Sequence, residues 1–317
     1  MKNIYYALAY YSVAGVSDPH EEIVLHQIFL KNKDAACRIY ISEQGINGQF
    51  SAHITVAEEY MNWLKERPSF AKIHFKIHEI QENIYPRITV KYRKQLVALD
   101  YDVNLSLMGD HISPQEWKEK LLEGQSLILD VRNDYEWKVG HFEGATLPPL
   151  NTFREFPAYA ADLAKTHDLE TPVLMYCTGG IRCEFYSALL KEKGFEKVYQ
   201  LDGGVIAYGQ EVGQDLWKGK LFVFDDRLTI PISPTEQPSM ISHCIYCNKP
   251  ADIYYNCANV NCNDLFISCS ECIAPNHCCC SDECQNSNTV RVYDSSRGNK
   301  PFGRKSTATI LVSEMSE

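Results

Sequence analysis

The sequence predicts a multidomain protein of α/β and α+β class, on three observations. Over about residues 1–100, strand-like and helical stretches follow the order β-α-β-β-α-β with one further strand. Over about 110–220, short apolar runs alternate with helical ones, the pattern of a parallel sheet flanked by helices. Over about 235–317, ten of the 13 cysteines crowd between Cys244 and Cys284. A chain of 317 residues is long enough for two or three separate cores.

In the first part, Ile4 to Val13 reads as a Tyr-rich strand. Asp18, Pro19, Glu21 and Glu22 form a helix start, because an Asp cap and early acids complement the helix dipole. Ile23, Leu25, Ile28, Phe29 and Leu30 continue that helix. RIYIS and QFSAHI are two strands, and GING (45–48) between them reads as a hairpin loop where Asn and Gly suit the turn. Glu43 and Asn47 beside it are also able to face a substrate. Val56 to Arg67 is a second helix stopped by Pro68, and Ile73 to Ile80 and Arg87 to Val97 are strands. This order is the ferredoxin-like plan.

In the second part, Ser113-Pro114-Gln115-Glu116 has the pattern of a capping box. LILDV, TPVLMYC and KVYQL are buried strands, and Glu184 to Lys193 is a helix closed by Gly194. Ligands of such sheets bind beyond the carboxyl ends of the strands, where Asp130 and Cys177 fall. PISPTEQPSM (231–240) is a Pro- and Ser-rich linker to the third part.

Charged residues make up 23% of the chain and the net charge is -10, which removes any bulk basic field for nucleic acid but not a local patch. No run reaches transmembrane length, and MKNIYYALAYY is too short and Tyr-rich for a signal-peptide core, so a cytoplasmic protein is expected. Clustered cysteines in such a chain point to metal ligation rather than disulfides.

The residues CTGGIRC (177–183) carry the sharpest signal. Strand, glycine turn and helix bring backbone N–H groups and a helix N-terminus to one point, and Cys177 occupies it. A thiol there ionises readily. Thr178, Gly179, Gly180 and Ile181 form the cradle and Arg182 closes it. A cysteine loop of the tyrosine-phosphatase type has one residue more between its Cys and Arg, so this tighter ring suits a single sulfur carried as a persulfide, or direct use of the thiolate. Cys183 is either a second thiol able to resolve an oxidised Cys177, or a small residue of the first helical turn.

Together with DVRNDYEWKVGHFEGATLPP (130–149) and LDGGVIAY (201–208), this loop resembles the rhodanese domain over about 110 residues. The resemblance implies that Cys177 is the sulfur carrier and that Asp130, Arg132 and Glu136 match the charged positions around the loop. Asp130 and Arg132 are equally readable as a structural ion pair, and Glu136 as the carboxylate that holds Arg182. GGIRCE, joined to an N-terminal ferredoxin-like domain with GING and to a C-terminal Cys-rich domain, resembles the tRNA uridine hydroxylase family across nearly the whole chain. That likeness implies oxygen-dependent formation of 5-hydroxyuridine at the wobble position, with tRNA as partner and molecular oxygen as co-substrate. A sulfurtransferase is the alternative, and a non-catalytic RNA-binding adaptor a third reading.

Two stretches fit an RNA partner independently. In PRITVKYRK (86–94), a strand would place Arg87, Lys91 and Arg93 on one face and Ile88, Val90 and Tyr92 on the other. SSRGNKPFGRK (295–305) adds Arg297, Lys300, Arg304 and Lys305 without an acid. For the metal, Cys244, Cys247, Cys257, Cys262, Cys269, Cys272, Cys279, Cys280 and Cys284 are candidate ligands, with Cys278, His243 and His277 as further possibilities. Eight thiolates hold two zinc ions, and an iron–sulfur cluster uses the same ligands. The grouping stays open. No flavin, nicotinamide, Walker or HExxH motif is present.

Overall fold

A computed structural model describes residues 4–297. One unit takes in the chain up to Asp134 and then Gly144–Gly213; the other takes Tyr135–Glu143 and the chain from Gln214 onward.

The first unit opens with β1 (Tyr5–Val13), α1 (Pro19–Leu30), β2 (Ala35–Ser42), β3 (Gly45–His53), α2 (Ile54–Lys65), β4 (His74–Ile80) and β5 (Ile88–Tyr92). The sheet order is β4-β1-β3-β2-β5, antiparallel except for β5 beside β2. This is the ferredoxin-like plan with the expected extra strand at one edge. Asp18 caps α1 by accepting the N–H groups of His20 and Glu21. Leu8, Tyr10, Ile39, Ile41, Phe50 and Val90 point to the side covered by helix residues such as Leu30, Tyr60 and Leu64.

Two expectations are corrected here. GING is not the hairpin loop: the turn is Glu43-Gln44, and Gly45–Gly48 are the first residues of β3. Gly48 lies where any side chain would collide with the Tyr10 ring. The last strand stops at Tyr92 instead of continuing to Val97, because Leu96, Val97 and Leu99 are drawn into the core of the next sheet.

That next sheet is built from β6 (Asp110–Ile112), which leads to α3 (Pro114–Glu123), and β7 (Leu127–Asp130). Ser113 caps α3 by accepting the N–H of Glu116. The chain then departs through α4 (Asp134–Trp137) and β8 (Gly140–Phe142), and returns for α5 (Phe156–Thr166), β9 (Val173–Tyr176), α6 (Ile181–Glu192), β10 (Val198–Leu201) and α7 (Gly204–Glu211). The order β6-β10-β9-β7 is all parallel, as the alternation of strands and helices predicts. β9 is buried on both faces, which explains its unbroken apolar run.

In the second unit, β8 pairs antiparallel with β11 (Trp217–Gly219), β12 (Leu221–Phe222) with β13 (Thr229–Ile230), and β14 (Tyr254–Asn256) with β15 (Leu265–Ile267). Two single-turn helices follow, α8 (Ser270–Ile273) and α9 (Asp282–Gln285). Among the described residues, no helix is long and apolar enough to cross a membrane.

Candidate active site

Cys177 directly follows β9, and α6 begins only four residues later, three residues earlier than the sequence suggests. Arg182 and Cys183 therefore belong to the first helical turn. Gly180 is the residue before the helix, with φ +105°, a conformation that side chains disfavour. Its N–H donates to Cys177 Sγ at 3.1 Å. Burial alone would push the Cys177 thiol up. The Cys183 thiol, the Arg182 guanidinium and the N–H groups of Cys183 and Gly180 outweigh it and hold the thiol down to about 5. Cys183 is driven the opposite way, first by burial and then by its bond to the Cys177 sulfur. At neutral pH the site therefore holds one thiolate and one thiol.

Arg182 also donates to Thr178 Oγ1 at 3.2 Å, closing the ring of 177–182. Gly203 and Gly204 lie against this ring: Val205 and Ile206 donate N–H bonds to the carbonyls of Cys177 and Thr178, at 3.0 and 3.2 Å. A Cβ on Gly204 would stand 2.6 Å from the Cys177 oxygen.

Asp130 and Arg132 are fully buried and grip each other, Nη2 to Oδ2 at 2.6 Å and Nε to Oδ1 at 2.9 Å. Arg132 also lies over the Tyr176 ring. This geometry braces the ends of β7 and β9. Glu136 is fully buried in α4, within the second unit.

The sequence reading missed two residues of the N-terminal sheet that reach the loop. The Tyr11 hydroxyl, on β1, donates to Glu184 Oε1 at 2.8 Å and lies 2.6 Å from where a Cβ on Gly180 would stand. Lys76, on β4, holds its ammonium 5.1 Å from the Tyr11 ring centre, and its Cε runs past Gly203. Its charge interacts with Cys177, Asp202 and Glu184. Glu184 is a hub: His111 Nε2 lies 3.0 Å and Gln200 Nε2 3.3 Å from its oxygens. No local pattern announces Tyr11 or Lys76; only the packing of one sheet against the other brings them in.

Lys91 on β5 and Arg87 and Arg93 just beyond its two ends are exposed, and Arg93 stacks over Tyr40 at 4.9 Å. Val90 is buried opposite them, but Ile88 is 40% exposed because β5 is an edge strand. Arg297 ends the described chain with its side chain undescribed; Lys300, Arg304 and Lys305 lie outside the described residues.

The cysteines of the second unit sort into two groups, Cys244, Cys247, Cys269, Cys272 and Cys257, Cys262, Cys280, Cys284. Within each, the sulfurs lie within 4.8 Å of one another. Cys247 to Cys269 is 3.7 Å, Cys262 to Cys280 3.6 Å and Cys280 to Cys284 3.8 Å. A tetrahedron with Zn–S bonds of about 2.3 Å has edges of about 3.8 Å, so both groups fit the ion. Cys279, expected among the ligands, is outside both groups, and its thiol faces the His277 carbonyl at 3.6 Å. Cys278 and both candidate histidines, His243 and His277, are outside as well. The pairs interleave along the chain, first with third and second with fourth.

Three families match the chain in turn: the UPF0176 acylphosphatase like domain over residues 5–96, the rhodanese-like domain over 113–211 and the rhodanase C-terminal region over 218–285. A tRNA uridine(34) hydroxylase of Chlamydia pneumoniae is 64% identical over 306 residues, 96% of this chain and 94% of that protein. One from Chlamydia felis is 62% identical over the same shares. Among solved structures, a rhodanese-like domain from Anabaena sp. is 24% identical, covering 35% of this chain and 80% of its own at a TM-score of 0.30.

Proposed function

The chain belongs to the tRNA uridine(34) hydroxylase family, and from that premise we propose that it converts the wobble uridine of tRNA to 5-hydroxyuridine at Cys177. The observation that carries the reading is a thiolate at the end of a polar, cation-rich sheet face. Across β4, β1, β3, β2 and β5, two rows of partners share the face away from the helices. One is His74, Tyr11, Asn47, Tyr40 and Lys91; the other is Lys76, Ala9, Gln49, Arg38 and Thr89. Strands spaced about 4.8 Å apart put Lys91 about 14 Å from Tyr11, the reach of two or three nucleotides. Beside Tyr40 a cavity of about 530 Å³, lined also by Arg93, Lys94, Asp100 and Arg154, offers a stacking ring and cations to a splayed anticodon loop. Arg87 extends the same attraction, and Arg297, Lys300, Arg304 and Lys305 are further cations in the sequence that RNA phosphates would attract. A tRNA substrate places the reaction in the cytoplasm.

In the chemistry we propose, the Cys177 thiolate adds to C6 of the uracil, making C5 electron-rich enough to meet molecular oxygen. One oxygen atom stays at C5 and the other leaves as water, with two electrons and two protons from a reductant. Loss of the C5 proton and departure of the Cys177 thiolate from C6 then restore the ring. Asp130 and Arg132 serve as a buried ion pair that braces the strand ends beside the loop, and Glu136 is proposed as a further charged residue of the reaction. Zinc, held by the two four-thiol groups, would supply folding energy to the C-terminal module.

Nucleoside mass spectrometry of tRNA from a deletion strain tests the reading. Wild-type protein restores 5-hydroxyuridine and Cys177→Ala does not. The short span of the loop also favours persulfide chemistry. A fall in a thiolated nucleoside with 5-hydroxyuridine unchanged would establish the sulfurtransferase instead.

A further inference from the structure

We propose that Lys76 is a catalytic residue of the Cys177 centre, donated by the N-terminal sheet to a site the parallel-sheet domain leaves incomplete. The inference rests on the hydroxylase reading above.

Four placements carry it. Ala9 pairs with Lys76 in the β1–β4 register, so Lys76 and Tyr11 are diagonal neighbours on the helix-free face. The Tyr11 ring lies beneath the Lys76 ammonium, while its hydroxyl is anchored on Glu184 and abuts Gly180. The Lys76 stem passes over Gly203, which is followed by the glycine seated against the Cys177 carbonyl. Gln210 Nε2, on α7, donates to the Ile77 carbonyl at 3.0 Å and fixes β4 one residue from Lys76. The side chain is thus held at both its base and its flank, where its charge feels those of Cys177, Asp202 and Glu184. Tyr11, its hydroxyl already engaged, is a positioning residue. Burial lowers Lys76 from its ordinary value, and those three anions offset only part of that.

The use of a cation here follows from the addition step. When the thiolate attacks C6, the S–C6 bond forms and the C5–C6 π pair shifts through C4 onto O4, with no proton transferred. The ring gains a full negative charge on an enolate oxygen. A fixed ammonium on the approach to the thiolate donates a hydrogen bond to that oxygen, the preorganised stabilisation that lowers such barriers most. Arg182 donates within the loop, to Thr178. Lys76 is the cation that the opposite domain adds.

The test uses the full chain with Lys76→Met and Lys76→Arg. First, Cys177 is alkylated with iodoacetate and with iodoacetamide, and the modified peptide is quantified. A facing cation speeds the anionic reagent, so the iodoacetate-to-iodoacetamide ratio falls about five-fold in Lys76→Met and returns in Lys76→Arg. An unchanged ratio overturns the placement. Second, 5-hydroxyuridine formation is followed after induced expression in the deletion strain. Lys76→Met loses about 100-fold in rate, the scale of one missing oxyanion donor, and Lys76→Arg recovers most of it. Full activity in Lys76→Met overturns the catalytic role. If wild-type protein itself restores no 5-hydroxyuridine, the hydroxylase reading fails and the catalytic role with it; the alkylation ratio still decides the placement.

Discussion

Cys177 would be an unreactive thiol if burial alone decided its ionisation. Its neighbours reverse that outcome, and Cys183 heads them. The thiolate is fully formed at neutral pH and half lost where pH falls to about 5. The rate of alkylation by iodoacetamide should therefore stay level across neutral pH and halve near 5. In Cys183→Ala the S–H donor is gone, and the midpoint should rise by about one pH unit, read from the same pH series. Should the midpoint stay put, Cys183 is only a small buried residue. The cysteine, the glycines and the arginine were legible because strand, turn and helix are local and their spacing is written in sequence. Tyr11 and Lys76 were not, since their role depends on a contact with residues more than a hundred positions away.

At the scale of elements, His26 couples α1 to α2. Its Nδ1 lies 2.8 Å from the Glu22 carbonyl, and its ring packs edge-on against Trp63 at 4.8 Å. Burial is the main cause that lowers it from 6.5 to about 4. In this window the unfolded chain binds the proton and the folded one does not. This stability is present above 6.5 and drains away as pH falls from 6.5 to about 4, by on the order of 3 kcal/mol. Urea unfolding at pH 7 and pH 4.5, followed by circular dichroism, should show this loss, and His26→Leu should lessen it. The capped helices and the parallel strands matched their sequence signals, as Asp18 and Ser113 illustrate. The end of β5 did not, because periodicity cannot say which of two cores claims Leu96 and Val97. GING failed for a related reason: Gly48 answers to the Tyr10 ring, not to a turn.

The whole molecule divides differently from its sequence. The linker at 231–240 signals a third part, yet the second unit already begins at Gln214 and also takes Tyr135–Glu143 from the middle of the parallel-sheet region. The metal module was legible as paired cysteines, but their interleaving was not, since spacing alone does not say which pairs meet. The interleaving predicts that the two ions bind together. Metal analysis should find about two zinc ions per chain, and Cys247→Ser should lower the content by more than one ion. Loss of only one would mean that the two sites are independent. Chelation should melt the Cys-rich module while leaving the circular dichroism of the helices in the first unit in place.

The excursion of residues 135–143 also bears on how the protein is made. β8 emerges from the ribosome more than seventy residues ahead of β11, its sole pairing partner among the described strands. Until Trp217 arrives, the edge-on contact between the Phe142 and Trp217 rings is missing, and β8 lacks the strand it pairs with. A stop codon after residue 213 would therefore not release a finished two-domain enzyme. It would release one with an unpaired strand in the middle of its chain, a natural target for chaperones and proteases.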